Sequence, residues 1–254
     1  MPTTPRAVPA APSSPAAPAS QTPAAPASQT LSRGIRILEE LADVRDPLSI
    51  DEVAARLGVH RSIAYRLVRT LEHHALITRD SAGLVQLGAR MAALAAGVAH
   101  DLQAAALPEL TAIANELDMT CFLAVLDRDE CITLTSVEPR HAVASVAQRP
   151  GARHPITVGA PSKAILAALP ESEWPAAVDG RLRAEIGVAR ERGFATSHDE
   201  VIPTVRAVAV PLALRSNQRP AAIAVVHVGN TTDPAQIAAR LTRSAAAIRA
   251  ALGG

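Results

Sequence analysis

Five polar side chains recur at helical spacing in the segment around residue 65. A helix places them on one face, because residues three and four positions apart are neighbours on a helix surface. Guanidinium groups donate hydrogen bonds to phosphate oxygens and guanine edges, and hydroxyl groups also bond to phosphates. The spacing therefore predicts a surface suited to DNA, although the solvated face of an ordinary helical hairpin has the same periodicity. The residues are Arg61, Ser62, Tyr65, Arg66 and Arg69.

The elements that must position this face have the pattern of a helix-turn-helix. A first helix over residues 50–57 ends at Gly58, which supplies the turn where a positive φ is needed. A second helix begins near His60 and has Ala64 and Leu67 on its buried side. The polar face described above is then the exposed face of this second helix.

Charge is segregated along the same region. The whole chain carries a formal charge of only +1. Residues 31–55 contain three arginines and six acidic residues, whereas residues 56–79 contain five arginines and one acid, Glu72. A focused basic face is what docking to a DNA groove requires, and its affinity falls steeply with salt.

A wing is predicted to follow the second helix. Residues 76–79 and 84–87 have strand character and flank a turn at residues 80–83. Arg79 lies near this hairpin, where it is expected to reach a phosphate or the adjacent minor groove. A helix over residues 32–42 completes a three-helix core.

These segments resemble the DNA-binding half of the IclR-type transcriptional regulators of bacteria. The resemblance is carried by SRGIRILEEL, LSIDEVAARLGVHRSIAYRLVRTLEHHALITRD and GLVQLGARMAALA. It continues through LPELTAIANELDMTCFLAVLDRDECITLTSVEP, GARHPITVGAPSKAILAALP, ARERGFATSHDEVIPTVRAVAVPL and AAIAVVHVG, in the order of that family's ligand-sensing domain.

The resemblance implies a two-domain α+β protein that associates as a dimer or tetramer. We expect a winged helix-turn-helix over residues 29–87, a linker helix over residues 88–104 and a GAF-like α/β effector-binding domain over residues 105–254. The length of 254 residues accommodates two domains, and a 48% apolar composition can build two cores.

The first 28 residues have a different composition. Eight prolines interrupt an Ala/Ser/Thr-rich sequence with a single charged side chain, Arg6. Such a segment has no apolar face to bury, which predicts a disordered tail, and it lacks the pattern of a secretory signal. No apolar run approaches the length of a membrane span. We therefore expect a cytoplasmic protein with no membrane association.

Catalytic and metal-binding patterns are weak. The turn before Lys163 fails the phosphate-loop pattern, no Gly-x-Ser-x-Gly elbow occurs, and His198 has no nucleophile placed beside it by a motif. No metal-ligand spacing appears. If residues 127–130 form a four-residue hairpin, Leu126 faces Cys131 while Cys121 faces Ser136, too far from Cys131 for a disulfide. We expect no enzyme activity, cofactor or metal.

The effector site is expected around the turn at Gly159, Ala160, Pro161 and Ser162. Lys163, the only lysine of the chain, follows this turn and begins a helix over residues 163–169. The free N–H groups at the start of that helix suit a bound carboxylate, although an ordinary helix start accounts for the pattern equally well. In the family this turn lines the effector pocket, and the resemblance transfers that role to Ala160 and Pro161.

The remaining pocket positions come from the same resemblance and have little polarity. Ser197 stands where a related sensor has an acidic side chain, and Ala207, Val226 and Val228 stand where thiol or hydroxyl groups can occur. An apolar lining with few polar anchors favours a larger aromatic or aliphatic carboxylic acid over a very small acid.

The sequence therefore predicts a transcription factor that binds double-stranded operator DNA under the control of a small carboxylic acid. The alternative is a metabolite-binding sensor or enzyme that does not bind DNA. Whether the regulator represses or activates stays open.

Overall fold

The computed structural model describes residues 28–44, 46–140, 146–214, 219–229 and 231–253. The prediction of a disordered tail falls on residues outside this range, apart from Ser28, whose side chain caps the first helix. The chain divides into two compact units, one ending at Ala95 and the other beginning at Ala96.

The N-terminal unit is the predicted winged helix-turn-helix. Ser49 and Glu52 form a capping box at the start of the second helix, and Gly58 ends that helix with a φ of 65°. Leu48 pairs with Val85 as a third, single-residue strand beside the wing. The elements are α1 (Gln29–Asp43), α2 (Ile50–Leu57), α3 (Arg61–His73), β1 (Ile77–Arg79), β2 (Val85–Leu87) and α4 (Arg90–Ala95).

One apolar cluster holds this unit together. Helices α1, α2 and α3 and both wing strands each contribute at least one fully or nearly fully buried side chain, at the 3.6-residue and two-residue periods expected for these elements. Its most buried members are Ile37, Val53, Ala64, Val68, Ile77 and Val85.

The single linker helix predicted over residues 88–104 is wrong. Helix α4 ends at Ala95, residues 96–99 form turns, and a new helix begins at His100 with Ala99 at a φ of 46°. Helix α4 buries none of its residues within the described chain, so no packing interaction stabilises a longer helix. The second helix runs on to Leu117 and belongs to the C-terminal unit.

The C-terminal unit is an antiparallel six-stranded sheet with helices on both faces. Its strand order is β5-β4-β3-β8-β7-β6. The elements are α5 (His100–Leu117), β3 (Thr120–Asp127), β4 (Glu130–Val137), β5 (Arg153–Pro155), α6 (Ala160–Ala168), α7 (Gly180–Arg192), β6 (Ala195–His198), β7 (Arg206–Leu212), β8 (Ala221–His227) and α8 (Pro234–Ala251). The arrangement is the expected α/β, GAF-like sensor fold.

Alternate residues of the central strands build two separate cores. The face towards α5 and α8 has branched side chains, among them Leu123, Ile223 and Val225. The face towards α6 is lined by alanines on β7 and β8, so the helix can approach closely. As a result, the first seven residues of α6 are all buried.

The hairpin β3–β4 has a bulge that changes one predicted pair. Leu126 pairs with Cys131 as expected, whereas Cys121 pairs with Val137 and not with Ser136. The register shifts between Leu123 and Ala124, which adds one residue to β4. Both cysteines are buried free thiols, and burial raises the pKa of Cys131 to about 12, so this thiol stays protonated at neutral pH.

Across the described residues, no helix combines the length and the apolar composition that a membrane span requires.

Two glycines of the N-terminal unit give a paired stability prediction. A Cβ on Gly88 would lie 2.4 Å from the carbonyl oxygen of Ala75, whereas a Cβ on Gly34 in α1 meets no atom within 4 Å outside the local helix backbone. Gly88→Ala should lower the free energy of unfolding by about 1–3 kcal/mol, the range for an overpacked site. Gly34→Ala should raise it by up to about 1 kcal/mol, because alanine favours a helix. Urea denaturation followed by circular dichroism measures both, and similar values for the two variants would contradict the close approach at Gly88.

Candidate nucleic-acid interface and ligand cavity

Helix α3 presents the predicted polar face to solvent. Arg61, Ser62, Tyr65, Arg66 and Arg69 are all exposed, and the Tyr65 side chain is 44% exposed. The opposite side of the helix is buried in the core of the N-terminal unit. All five side chains therefore lie on the exposed side of one helix, as the helical spacing of the sequence predicts.

The N-terminal end of α3 is fixed by local contacts. The imidazole Nδ1 of His60 accepts a hydrogen bond from the Ser62 N–H at 3.3 Å and lies 2.9 Å from the Ser62 hydroxyl. Arg61 pairs with Asp51 through an Nε–Oδ1 contact of 2.9 Å that is exposed on both sides. Arg66 and Arg69, in contrast, form no ion pair within the described residues. These two guanidinium groups are the cations that the face offers without breaking a contact.

Arg79 lies against α3 instead of extending from the wing. Its guanidinium stands 5.4 Å above the ring centroid of Tyr65, and its Nε lies 3.3 Å from Glu72 Oε2. The side chain is only 21% exposed. This geometry links the wing to α3 and orients the Tyr65 ring, so direct phosphate contact by Arg79 remains a prediction.

In the C-terminal unit, a small cavity lies between the start of α6 and the β6–β7–β8 part of the sheet. Ser197, Ala207 and Val226 lie in one row because Ser197 pairs with Ala207 and Ala207 with Val226. Gly159 and Pro161 line the opposite side. The structure thus brings five of the eight predicted effector residues to one cavity. The other lining residues are Phe122, Gln148, His154, Glu200, Val201, Ile202 and Val205.

The other three predicted residues do not line this cavity. Strand β8 ends at His227, so Val228 follows the strand and is 57% exposed. Ser162 is fully buried in the first turn of α6, close enough to Cys131 to affect its pKa. Ala160 is also fully buried, and its backbone N–H donates to Ser197 Oγ at 3.0 Å.

The N-terminus of α6 already binds a carboxylate, that of Glu200. The Gly159 N–H donates to Glu200 Oε2 at 2.8 Å, and the second oxygen of the same carboxylate contacts Lys163. The expectation of N–H groups left free for a ligand is therefore wrong for Gly159 and Ala160. Helix α6 also begins at Ala160, before the residue predicted, with Pro161 in its first turn.

Lys163 is the centre of a buried ionic cluster. Its side chain is 6% exposed, and Nζ lies 2.5 Å from Glu185 Oε2 and 2.6 Å from Glu200 Oε1. The hydrogen bond from Lys163 holds the pKa of the Glu185 carboxyl below its ordinary value. The three charges join α6, α7 and the loop after β6.

The cavity is small and mostly apolar. Its volume is about 30 Å³, a small fraction of the roughly 150 Å³ of a protein cavity that binds benzene. Burial lowers the pKa of His154, which favours a neutral imidazole on the cavity wall at pH 7. A cleft of about 670 Å³ follows the edge strand β6 and shares Ser197, Glu200 and Ala207 with the cavity.

Sequence reasoning did not find Glu185 and Glu200 as partners of Lys163. The one available signal was the lone lysine itself, because a buried ammonium requires acidic partners. Glu200 lies in the loop after β6, where the sequence carries no recognised motif. Its contact with Lys163 spans 37 residues of sequence, and no periodicity predicts such a pair.

Both units of the chain match domains of known transcriptional regulators. The IclR helix-turn-helix domain matches residues 30–81, and the domain described as "Bacterial transcriptional regulator IclR C-terminal" matches residues 95–250. The HTH-type transcriptional regulator XynR of Escherichia coli is 25% identical, with 89% of this chain and 97% of XynR covered.

Solved structures show the same fold. An IclR transcriptional regulator from Alicyclobacillus acidocaldarius has a TM-score of 0.75 at 27% identity, covering 89% of this chain and 99% of that one. An IclR homologue from Microbacterium hydrocarbonoxydans, complexed with 4-hydroxybenzoate, has a TM-score of 0.73 at 25% identity and the same coverage. The chain, with its winged helix-turn-helix and its α/β sensor unit, belongs to the IclR family of bacterial transcriptional regulators.

Proposed function

We propose that this regulator binds operator DNA through the exposed face of α3, under the control of a carboxylic acid bound in the cavity beside α6. The observation that carries the DNA part is the arrangement of α3 itself. Its buried side anchors it in a three-helix core, while Arg66 and Arg69 stand exposed next to Tyr65. A helix anchored in this way can enter a major groove with its cations towards the bases and phosphates.

The class of effector follows from the cavity walls. Phe122, Val205, Ala207 and Val226 offer apolar contact, while Ser197 and Glu200 contribute polar groups that contact the start of α6 and Lys163. A molecule with one acidic end and an aromatic or aliphatic body matches this distribution. The related structure that holds 4-hydroxybenzoate supports the same class of ligand.

We further propose that the regulator acts as a dimer or a pair of dimers. One winged helix offers a single reading helix, and two such helices related by a two-fold axis would read half-sites about one helical turn apart. Exposed Leu31 and Ile35 on α1 support an association surface on the N-terminal unit.

A sensor or enzyme that does not bind DNA is the competing possibility. An electrophoretic mobility shift with the DNA upstream of the chain's own gene distinguishes the two. A shift abolished by excess unlabelled specific DNA, but not by the same amount of random DNA, supports the regulator.

The first functional prediction concerns the face of α3. Arg66→Ala should weaken specific operator binding by at least about tenfold, since a bidentate guanidinium contact to a base contributes about 1–3 kcal/mol. Arg243→Ala is the matched control, because it removes the same charge from an exposed position on α8. Fluorescence anisotropy with a labelled operator measures both, and equal affinities for the two variants would remove α3 from its proposed role.

The second prediction separates two roles for Arg79. If Arg79 acts by orienting Tyr65, Arg79→Ala should weaken binding without changing the dependence of affinity on salt. If it contacts a phosphate, the slope of log affinity against log salt should fall by about one. From the stacking geometry we expect the unchanged slope, and titrations at four or more salt concentrations decide between the two.

The third prediction concerns the cavity. Ala207→Trp puts an indole ring where the apolar body of the effector must lie and should abolish the response to the effector, while the protein without effector still binds operator. Val228→Trp adds the same side chain at an exposed position and should leave the response intact. Operator release or recruitment, titrated with the acid, provides the readout. A normal midpoint for Ala207→Trp would place the effector site elsewhere.

A further inference from the structure

The β6–β7 loop, residues 199–205, forms a unit closed by its own hydrogen bonds. The Asp199 N–H donates to the Val205 carbonyl at 3.1 Å, and the Thr204 N–H donates to Asp199 Oδ1 at 2.5 Å. Asp199 and Thr204 have φ values of 60° and 67°, so left-handed backbone brackets the loop. A segment closed on itself in this way can move as one body on the ends of β6 and β7.

This loop covers the cavity with apolar side chains. Val201 and Ile202 line the cavity on one side and remain 47% and 38% exposed on the other. Val201 also packs near Gly159, where an added Cβ would lie 3.1 Å from its Cγ2. With the loop in this position, a cavity of about 30 Å³ cannot take an aromatic ring or an aliphatic chain.

Glu200 fastens the loop to α6. Its two carboxylate oxygens contact Lys163 Nζ at 2.6 Å and the Gly159 N–H at 2.8 Å. Lys163 has a second carboxylate partner in Glu185, whose other oxygen lies 3.0 Å from Arg181 Nε, so the two cations and two carboxylates of the cluster balance. A third carboxylate added beside Lys163 would leave this balanced cluster with an excess negative charge and would be repelled by the two carboxylates already present.

We propose that residues 199–205 are the lid of the effector cavity and that the Glu200 carboxylate occupies the position on Lys163 that the effector's carboxylate takes. Exchange of one carboxylate for another keeps the charge of the cluster constant and leaves Glu185 in place. Release of Glu200 frees the lid, which makes room for the apolar body of the ligand. This inference rests on the proposed function, because it names the chemistry of that same cavity.

If the proposal is right, removal of Glu200 raises the affinity for acids more than the affinity for uncharged molecules of the same shape. Glu200→Ala should bind at least one of acetate, hexanoate and benzoate at least about tenfold more tightly than the parent protein does, since no internal competitor remains. Benzamide, which has the shape of benzoate without its charge, should show no comparable gain. Glu200→Gln should lie between the two proteins for acids, because its amide oxygen still accepts from Gly159 while its negative charge is lost.

Isothermal titration calorimetry on the full chain tests this, with circular dichroism to confirm that each variant is folded. Glu191→Ala is the matched control, because it removes an exposed carboxylate from α7. Lys163→Met in the Glu200→Ala background should remove the gain for acids. Amide hydrogen exchange gives a second, ligand-independent readout: residues 199–205 should lose protection in Glu200→Ala and keep it in Glu191→Ala.

Several results would overturn the proposal. It is contradicted if Glu200→Ala binds the acids no more tightly than the parent protein does, or if benzamide gains as much affinity as the acids. It is also contradicted if none of the three acids binds Glu200→Ala at concentrations up to about 10 mM. Unchanged exchange protection of the lid in Glu200→Ala would contradict it as well. If the parent protein does not bind operator DNA but the acid selectivity is as expected, the proposed DNA function is contradicted and the lid proposal is not.

Discussion

A single buried ammonium organises the sensor unit. Lys163 cannot be buried at 6% exposure without carboxylate partners, since an unpaired charge in a protein interior costs several kcal/mol. Its two partners come from α7 and from the β6–β7 loop, so one cation fixes the position of three elements around the cavity. Elements held by directional charge contacts have few alternative arrangements, in contrast to elements held by apolar contact alone.

The alanine-rich sheet face explains why this cation can be buried at all. Ala207, Ala209, Ala222 and Ala224 present short side chains towards α6, and the helix sits close to the sheet. Close approach places the first turn of α6 beside the ends of β6 and β7, within reach of Glu200. Larger residues on these strands would hold the helix away and lengthen the contacts to Lys163. The small side chains therefore set the geometry that the ionic cluster then stabilises.

Local signals made the N-terminal unit predictable. Ser49 with Glu52, and Gly58 at its positive φ, determine where α2 begins and ends, and both are visible within a few residues of sequence. The exposed side of α3 followed from the helical period alone. Arg79 was different: nothing in the local sequence shows that its side chain folds back onto Tyr65 and Glu72.

The sensor unit was predictable only in part, because its site depends on long-range pairing. The family resemblance predicted Ser197, Ala207 and Val226 at one site, and the sheet register places the three residues side by side. Val228 was predicted to line the same site, but strand β8 ends one residue before it. The bulge between Leu123 and Ala124 pairs Cys121 with Val137, whereas the hairpin turn alone predicts a pair with Ser136. Strand ends and bulges are decided by packing across the sheet, which a single sequence does not display.

Control by an effector requires that the ligand bind two states of the protein with different affinities. A cavity that is already open would bind an acid without changing anything, whereas a closed lid makes opening part of the binding reaction. The free energy needed to release Glu200 from Lys163 and Gly159 lowers the apparent affinity, and it couples occupancy of the cavity to the position of the β6–β7 loop. Because Lys163 keeps Glu185 during the exchange, the contact between α6 and α7 stays in place while the loop moves. In this proposal the ionic cluster connects recognition of the ligand's charge with movement of the β6–β7 loop.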